Sequence, residues 1–69
     1  MDMPVSVELS RSELGILRLV NLGHTNREIA HDLGITLGTT KWHLVQVFRK
    51  LEVKNRTAAA AKGRLLKLL

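Results

Sequence analysis

The sequence predicts an all-α fold of four helices, and three observations carry that prediction. A start signal recurs: Ser10 and Glu13 are spaced S-x-x-E, Thr25 and Glu28 are spaced T-x-x-E, and Thr36 and Asn55 each stand ahead of a further helical run. Gly23 and Gly34 follow the first two runs, where a left-handed residue commonly ends a helix. Between these marks the apolar residues recur at the spacing of a helix face and not at the alternation of a strand.

A chain of 69 residues makes one small domain, one that buries only about 60% of the surface its unfolded form exposes. It has no cysteine, which excludes disulfides and thiolate metal sites and suits a reducing cytoplasm. No apolar run approaches the length of a membrane span, and the acidic opening MDMPVSVE is unlike a secretory signal. The expected compartment is therefore the cytoplasm, with no membrane partner. Trp42 and Phe48 are the only aromatics, too few for the base-stacking platforms of single-strand and RNA binders. The net charge of +5 is unevenly placed. Residues 1–40 hold three arginines against five acids, net −2; residues 41–69 hold eight cations against Glu52, net +7. A polyanion would meet the second half, although an ordinary solvated basic surface would look the same on charge alone.

Residues 1–8 show no helical period and contain the only proline, Pro4; they are expected to form a flexible leader. The first helix is expected over about 11–21. Ser10 and Glu13 form its capping box, Leu9 and Leu14 occupy the positions of a hydrophobic staple, and Ile16, Leu17 and Val20 share a face with Glu13. Gly15 inside it weakens the helix by up to roughly 1 kcal/mol relative to Ala. The second helix starts from the box at Thr25 and Glu28, carries Ile29, Ala30 and Leu33 as its apolar stripe, and ends at Gly34. Small Ala30 and the glycine at the turn let the next helix cross closely and steeply.

Thr36 caps the third helix, expected over about 37–51. Thr40, Leu44, Val47, Phe48 and Leu51 fall on one side of it. Gly38, Thr39, Trp42, Val45, Gln46 and Arg49 fall on the other, with Lys41 and His43 flanking the seam. An outward Trp and Val beside an Arg suit a face that meets a ligand surface. Residues 26–51 thus have the layout of a helix-turn-helix, whose second helix enters the DNA major groove.

Asn55 caps a fourth helix expected to reach about Leu68. Ala59, Gly63 and Leu66 make one apolar stripe, suited to docking on the domain. Ala58, Ala61, Leu65 and Leu68 make a second stripe on another side, more apolar surface than so small a domain covers by itself. The expected partner is the same helix of a second copy about a two-fold axis; the plain alternative is a frayed C-terminal helix with exposed leucines.

From Leu9 to its end the chain resembles, without a gap, the LuxR-type (GerE-like) helix-turn-helix domain of bacterial transcription regulators. The resemblance is carried by Leu9, Ser10, Glu13, Ile16, Leu17, Leu19 and Gly23, then Asn26, Glu28, Ile29, Ala30, Leu33, Ile35, Thr36, Thr39, Lys41 and His43, and finally Lys50, Leu51, Val53, Asn55, Arg56, Thr57 and Ala59. The segment ITLGTTKWHL looks most like the version at the C-terminal end of large ATP-binding regulators. The resemblance implies a winged-helix-like, right-handed tri-helical core plus a fourth helix, and sequence-specific binding of double-stranded DNA. It implies base-edge contacts from Lys41, Trp42 and Val45, and phosphate contacts from Asn26, Thr36, Thr39 and His43, with Lys50 and Arg56 as candidates for the same role. It also implies a homodimer on DNA through the fourth helix (Ala58, Ala61, Leu65, Leu68), weak or absent without DNA, with RNA polymerase as a candidate further partner. This chain departs from the family pattern at Ser12, often basic, at Gly15, often acidic, at Thr40, usually Val, and in the run Ala58-Ala59-Ala60-Ala61.

Each site residue also has a plainer reading. Lys41 has the reach for a guanine edge or a phosphate, but at the seam its stem would also cover the core. Trp42 would pack on a sugar or a thymine methyl, or else fold back on the second helix. Val45 offers apolar contact alone. Thr36 and Thr39 suit a phosphate at a helix N-terminus and are equally explained by capping. Arg49, Lys54, Lys62 and Lys67 read as a solvated basic surface. His24, Glu28 and His31 have a spacing that zinc accepts, but Glu28 is accounted for by its cap and His24 precedes the helix, so no metal is expected. No catalytic constellation is apparent, and neither a cofactor nor a small-molecule ligand is expected. The alternative function is a helical protein–protein module that associates through its fourth helix and no longer binds DNA.

Overall fold

The computed structural model describes residues 8–69, so the leader expected over 1–8 lies outside the described residues except for Glu8. Four helices follow: α1 (Arg11–Asn21), α2 (Asn26–Leu33), α3 (Leu37–Leu51) and α4 (Arg56–Leu65). Every one starts from a side-chain cap. The Ser10 N–H donates to Glu13 Oε1 at 2.8 Å while the Glu13 N–H donates to Ser10 Oγ at 3.1 Å. The same exchange joins Thr25 and Glu28 at 2.7 and 3.1 Å. Thr36 Oγ1 accepts from the Thr39 N–H at 3.1 Å, and Asn55 Oδ1 from the Ala58 N–H at 2.8 Å. Each cap satisfies donors that the first turn of a helix leaves without intrahelical partners.

All four helices end in the same way, with the chain reversing through one left-handed residue and an N–H bonding back across the last turn. Gly23 (φ 87°) and Gly34 (φ 66°) take that position after α1 and α2, where glycine adopts it without steric cost. Glu52 (φ 58°) and Lys67 (φ 60°) take it after α3 and α4. The closing bonds are His24 N–H to Leu19 O at 3.0 Å, Ile35 N–H to Ala30 O at 3.0 Å, Val53 N–H to Phe48 O at 3.0 Å and Leu68 N–H to Gly63 O at 2.8 Å.

The last of these bonds corrects the expected course of the fourth helix. Instead of reaching about Leu68, α4 stops at Leu65, and the reversal at Lys67 exchanges the roles of two leucines. Leu66, placed by the wheel on the docking stripe, is exposed, and Leu68, placed on the partner stripe, turns inward against the core. Leu68 is thus removed from the outward apolar face, because a residue three past the helix end points where the reversal sends it and not where the helical period would.

The core lies on both sides of α1. Ile16 and Val20 meet Ile29 of α2 and Leu44 of α3, with Leu19 packed alongside. Leu17 meets Val47 and Leu51 of α3 and Ala59 of α4, with Leu9, Val53 and Leu68 around them; Phe48 touches both groups. Burial of these side chains is the main source of stability in a domain of this size. Gly63 permits the close approach of α4, since a Cβ there would meet Leu17 Cδ2 and Leu69 Cδ1 at 3.0 Å. Thr40, fully buried, donates its hydroxyl to the Thr36 carbonyl at 3.0 Å and leaves no polar atom stranded.

One long-range ion pair fastens the two ends of the helix-turn-helix scaffold. Lys50 Nζ, near the end of α3, donates to Glu13 Oε1 in the first turn of α1 at 2.7 Å. Burial pushes the Glu13 carboxyl upward, but the Lys50 bond, the Ser10 N–H and the Lys50 charge together hold it below its ordinary value.

Candidate nucleic-acid interface

The core side of α3 fixes what its other side presents. With Thr40, Leu44, Val47 and Leu51 buried, Trp42 and Val45 are left 59% and 57% exposed, and Lys41 is exposed beside them. Trp42 therefore does not fold back on α2. Its ring meets the His43 imidazole edge-on, with centroids 5.2 Å apart and planes at 71°, which restrains the indole while leaving most of it free.

The N-terminus of α3 adds a second feature. Thr36 and Thr39 are exposed, and Thr36 Oγ1 both accepts from the Thr39 N–H and donates to Thr39 Oγ1 at 2.9 Å. That leaves the Thr39 hydroxyl proton available to an outside acceptor. Gly38 between them is exposed, and a Cβ there would have only Thr36 Oγ1, at 3.9 Å, within reach. Bare backbone at a positive helix end suits close approach of an anionic chain. The helical period puts Gly38 on the outer face but assigns it no role; the signal for one is its position in the first turn, between Thr36 and Thr39.

Asn26, Lys41, Val45 and Arg56 come together, lining one shallow groove along α3 with Leu44 and Phe48 as its floor. Two other expected phosphate ligands lie elsewhere. Lys50 is committed to Glu13, at the far end of α3 from Lys41. His43 is half-buried and lines a separate cleft between α1 and the α2–α3 turn, with Arg11, Ser12, Gly15 and Ile35; its Nδ1 is buried without a partner. Arg56 lines the groove, but its guanidinium is engaged: Nη1 donates to Asn26 Oδ1 at 2.6 Å and Nη2 to the His24 carbonyl.

The outward apolar face of α4 is represented by Leu65, 76% exposed, with Ala61 exposed and Ala58 half-buried. Of the residues weighed as metal ligands, Glu28 is bonded to the Thr25 N–H, His24 Nε2 lies 3.4 Å from Asp32 Oδ2, and the His31 side chain is 92% exposed. No group of three or more His, Cys, Asp or Glu side chains converges among the described residues. No helix among them is long and apolar enough to cross a membrane.

Comparison with known proteins places this arrangement in a family. The profile GerE, described as bacterial regulatory proteins of the luxR family, matches residues 7–62. The chain is 46% identical over 57 residues to the HTH-type transcriptional regulator AlkS of Alcanivorax borkumensis, covering 83% of this chain and 6% of that one. It is 48% identical over 52 residues to the putative HTH-type transcriptional regulator YhjB of Escherichia coli K12 (75% and 26%). It is 46% identical over 52 residues to the transcriptional regulatory protein LiaR of Bacillus subtilis 168 (75% and 25%). The fold superposes on the crystal structure of ChrA, a response regulator of a heme-sensing two-component system, with TM-score 0.88 and 40% identity over 97% of this chain and 33% of that one. The chain thus spans between 6% and 26% of these three curated relatives. Because the profile runs from before α1 into the later turns of α4, it takes in every element on which the exposed face of α3 depends, and the chain belongs to the luxR family of bacterial regulatory proteins, as a helix-turn-helix domain of the kind found in transcription regulators.

Proposed function

We propose that this domain binds double-stranded DNA in a sequence-specific manner, as the reading head of a bacterial transcription regulator acting in the cytoplasm. In this reading α3 enters the major groove, where Lys41, Trp42 and Val45 meet base edges while Asn26, Thr36 and Thr39 meet phosphates. The observation that carries it is the outward presentation of a tryptophan and a valine, both more than half exposed, on a helix whose opposite side is fully committed to the core. Such surface is costly to leave in water and gains when sugars and thymine methyl groups cover it. The reading contains no catalytic step and no cofactor. Two copies joined through Ala58, Ala61 and Leu65 of α4 would read half-sites about one helical turn apart, with RNA polymerase a candidate partner of the assembled regulator.

Selection of bound duplexes from a random-sequence pool tests the proposal. A defined motif is expected, and Lys41→Ala should weaken binding to it by about 1–3 kcal/mol while relaxing the preference at one position. Failure to enrich any sequence, with Lys41→Ala indistinguishable from wild type, would leave the protein–protein reading through α4 in its place.

A further inference from the structure

The side-chain oxygen of Asn26 is already taken. It accepts from Arg56 Nη1 at 2.6 Å, so what Asn26 can offer to an outside group is its Nδ2 donors. An asparagine amide is normally ambiguous, equally able to present oxygen or nitrogen, but an arginine has no acceptor and settles the orientation. The second arm of Arg56 donates to the His24 carbonyl, and His24 is held in turn by its N–H bond to Leu19 O at 3.0 Å and by Asp32 Oδ2 at 3.4 Å from its Nε2. Farther along α4, Arg64 Nη1 donates to Asn21 Oδ1 at 2.6 Å. The two arginines of α4 therefore grip the α1–α2 connection at both ends, through neutral acceptors.

We propose that Arg56 is a positioning residue for DNA binding: it locks Asn26 with its amide nitrogens toward a phosphate of the duplex and ties α4 to the start of α2. The inference rests on the DNA-binding reading above and replaces the direct phosphate contact expected for Arg56 from the family resemblance. A phosphate oxygen only accepts, so the locked orientation is the one it requires, and Asn26 lies in the same groove as Lys41 and Val45. The role depends on a planar fork reaching two acceptors at once, which a lysine ammonium on a flexible stem does not reproduce.

The test uses a duplex selected from a random-sequence pool by the wild-type chain, with affinity measured over a range of salt concentrations. Arg56→Lys, Arg56→Met and Asn26→Ala are compared with the double variant Asn26→Ala/Arg56→Lys, at a temperature where circular dichroism shows each folded. Arg56→Lys and Arg56→Met should both bind roughly tenfold more weakly, as should Asn26→Ala. The Arg56→Met salt slope should match that of wild type, and the double variant should be no weaker than Asn26→Ala alone. A loss arising from a loosened fold would instead add to that of Asn26→Ala. Wild-type affinity in Arg56→Lys, a slope flattened by about one in Arg56→Met, or additive losses would each overturn the assignment while leaving DNA binding intact. A wild-type chain from which no duplex can be selected would overturn the DNA reading and this assignment with it.

Discussion

Glu13 is the one buried acid in the described fold, 6% exposed, and two donors account for its carboxylate, Lys50 Nζ and the Ser10 N–H, while the Ser10 hydroxyl accepts from the Glu13 N–H. Its carboxyl is held below the ordinary value, burial working against the shift and the Lys50 and Ser10 bonds outweighing it. A carboxyl whose folded pKa is depressed stabilises the fold above its unfolded pKa, and that contribution is lost as the pH falls through the folded value. Glu28, exposed and lowered first by the Thr25 N–H, adds to the same acid limb. Glu13→Gln should therefore reduce stability near neutrality by about 1–2 kcal/mol, toward the smaller figure because Lys50 keeps access to water. It should also flatten the decline between neutral and acid pH. Denaturant melts across that range check both; an unchanged acid limb in the variant would show that the Glu13–Lys50 pair does not govern it.

At the scale of elements, the starts of the helices are written locally and their ends only in part. Ser10, Thr25, Thr36 and Asn55 each bond an N–H three residues on, a relation visible in the sequence itself. The ends after α1 and α2 are marked by glycine, but those after α3 and α4 pass through Glu52 and Lys67, which carry no such mark. For that reason the helical period runs past the true end of α4 at Leu65 and puts Leu68 on the wrong side. The same division runs through the site. The wheel separated Trp42 and Val45 from the core correctly because the helical period decides exposure; Lys50 to Glu13 and Arg56 to Asn26 bridge 37 and 30 positions, and no local pattern announces them. Two outcomes belong to this scale. Glu52→Gly should stabilise the domain by up to about 1 kcal/mol by relieving a left-handed non-glycine residue, less whatever the added freedom of the unfolded chain costs, and a thermal melt shows the sign. Leu65→Glu should leave the helical signal intact and weaken self-association, since Leu65 makes the most exposed part of α4 and repulsion between two copies would replace apolar contact. Equal sedimentation of both proteins at high concentration would remove α4 as the dimer surface.

For the whole molecule, the net +7 of residues 41–69 overstates the charge available to DNA. Lys50 is neutralised by Glu13, and Arg56 and Arg64 hold asparagine side chains on the α1–α2 connection. Lys41, Arg49, Lys54, Lys62 and Lys67 remain, and they are distributed over α3, the turn after it and α4, so one face of a duplex meets only part of the set. Each phosphate neutralised releases counterions, and the logarithm of the binding constant falls with the logarithm of salt by about 0.9 per contact. If two to four cations per copy engage, the slope should lie at roughly −2 to −4 per copy, well short of what all eight cations of the basic half would give. Glu13→Gln, by freeing Lys50 at the far end of α3 from Lys41, should leave that slope unchanged if Lys50 points away from the duplex, whereas a slope steeper by about one would mean that the released ammonium reaches a phosphate. Titrations of wild type and Glu13→Gln on one duplex across a range of salt therefore separate a basic half that acts as a uniform field from one in which folding has already spent some of its charge on the scaffold.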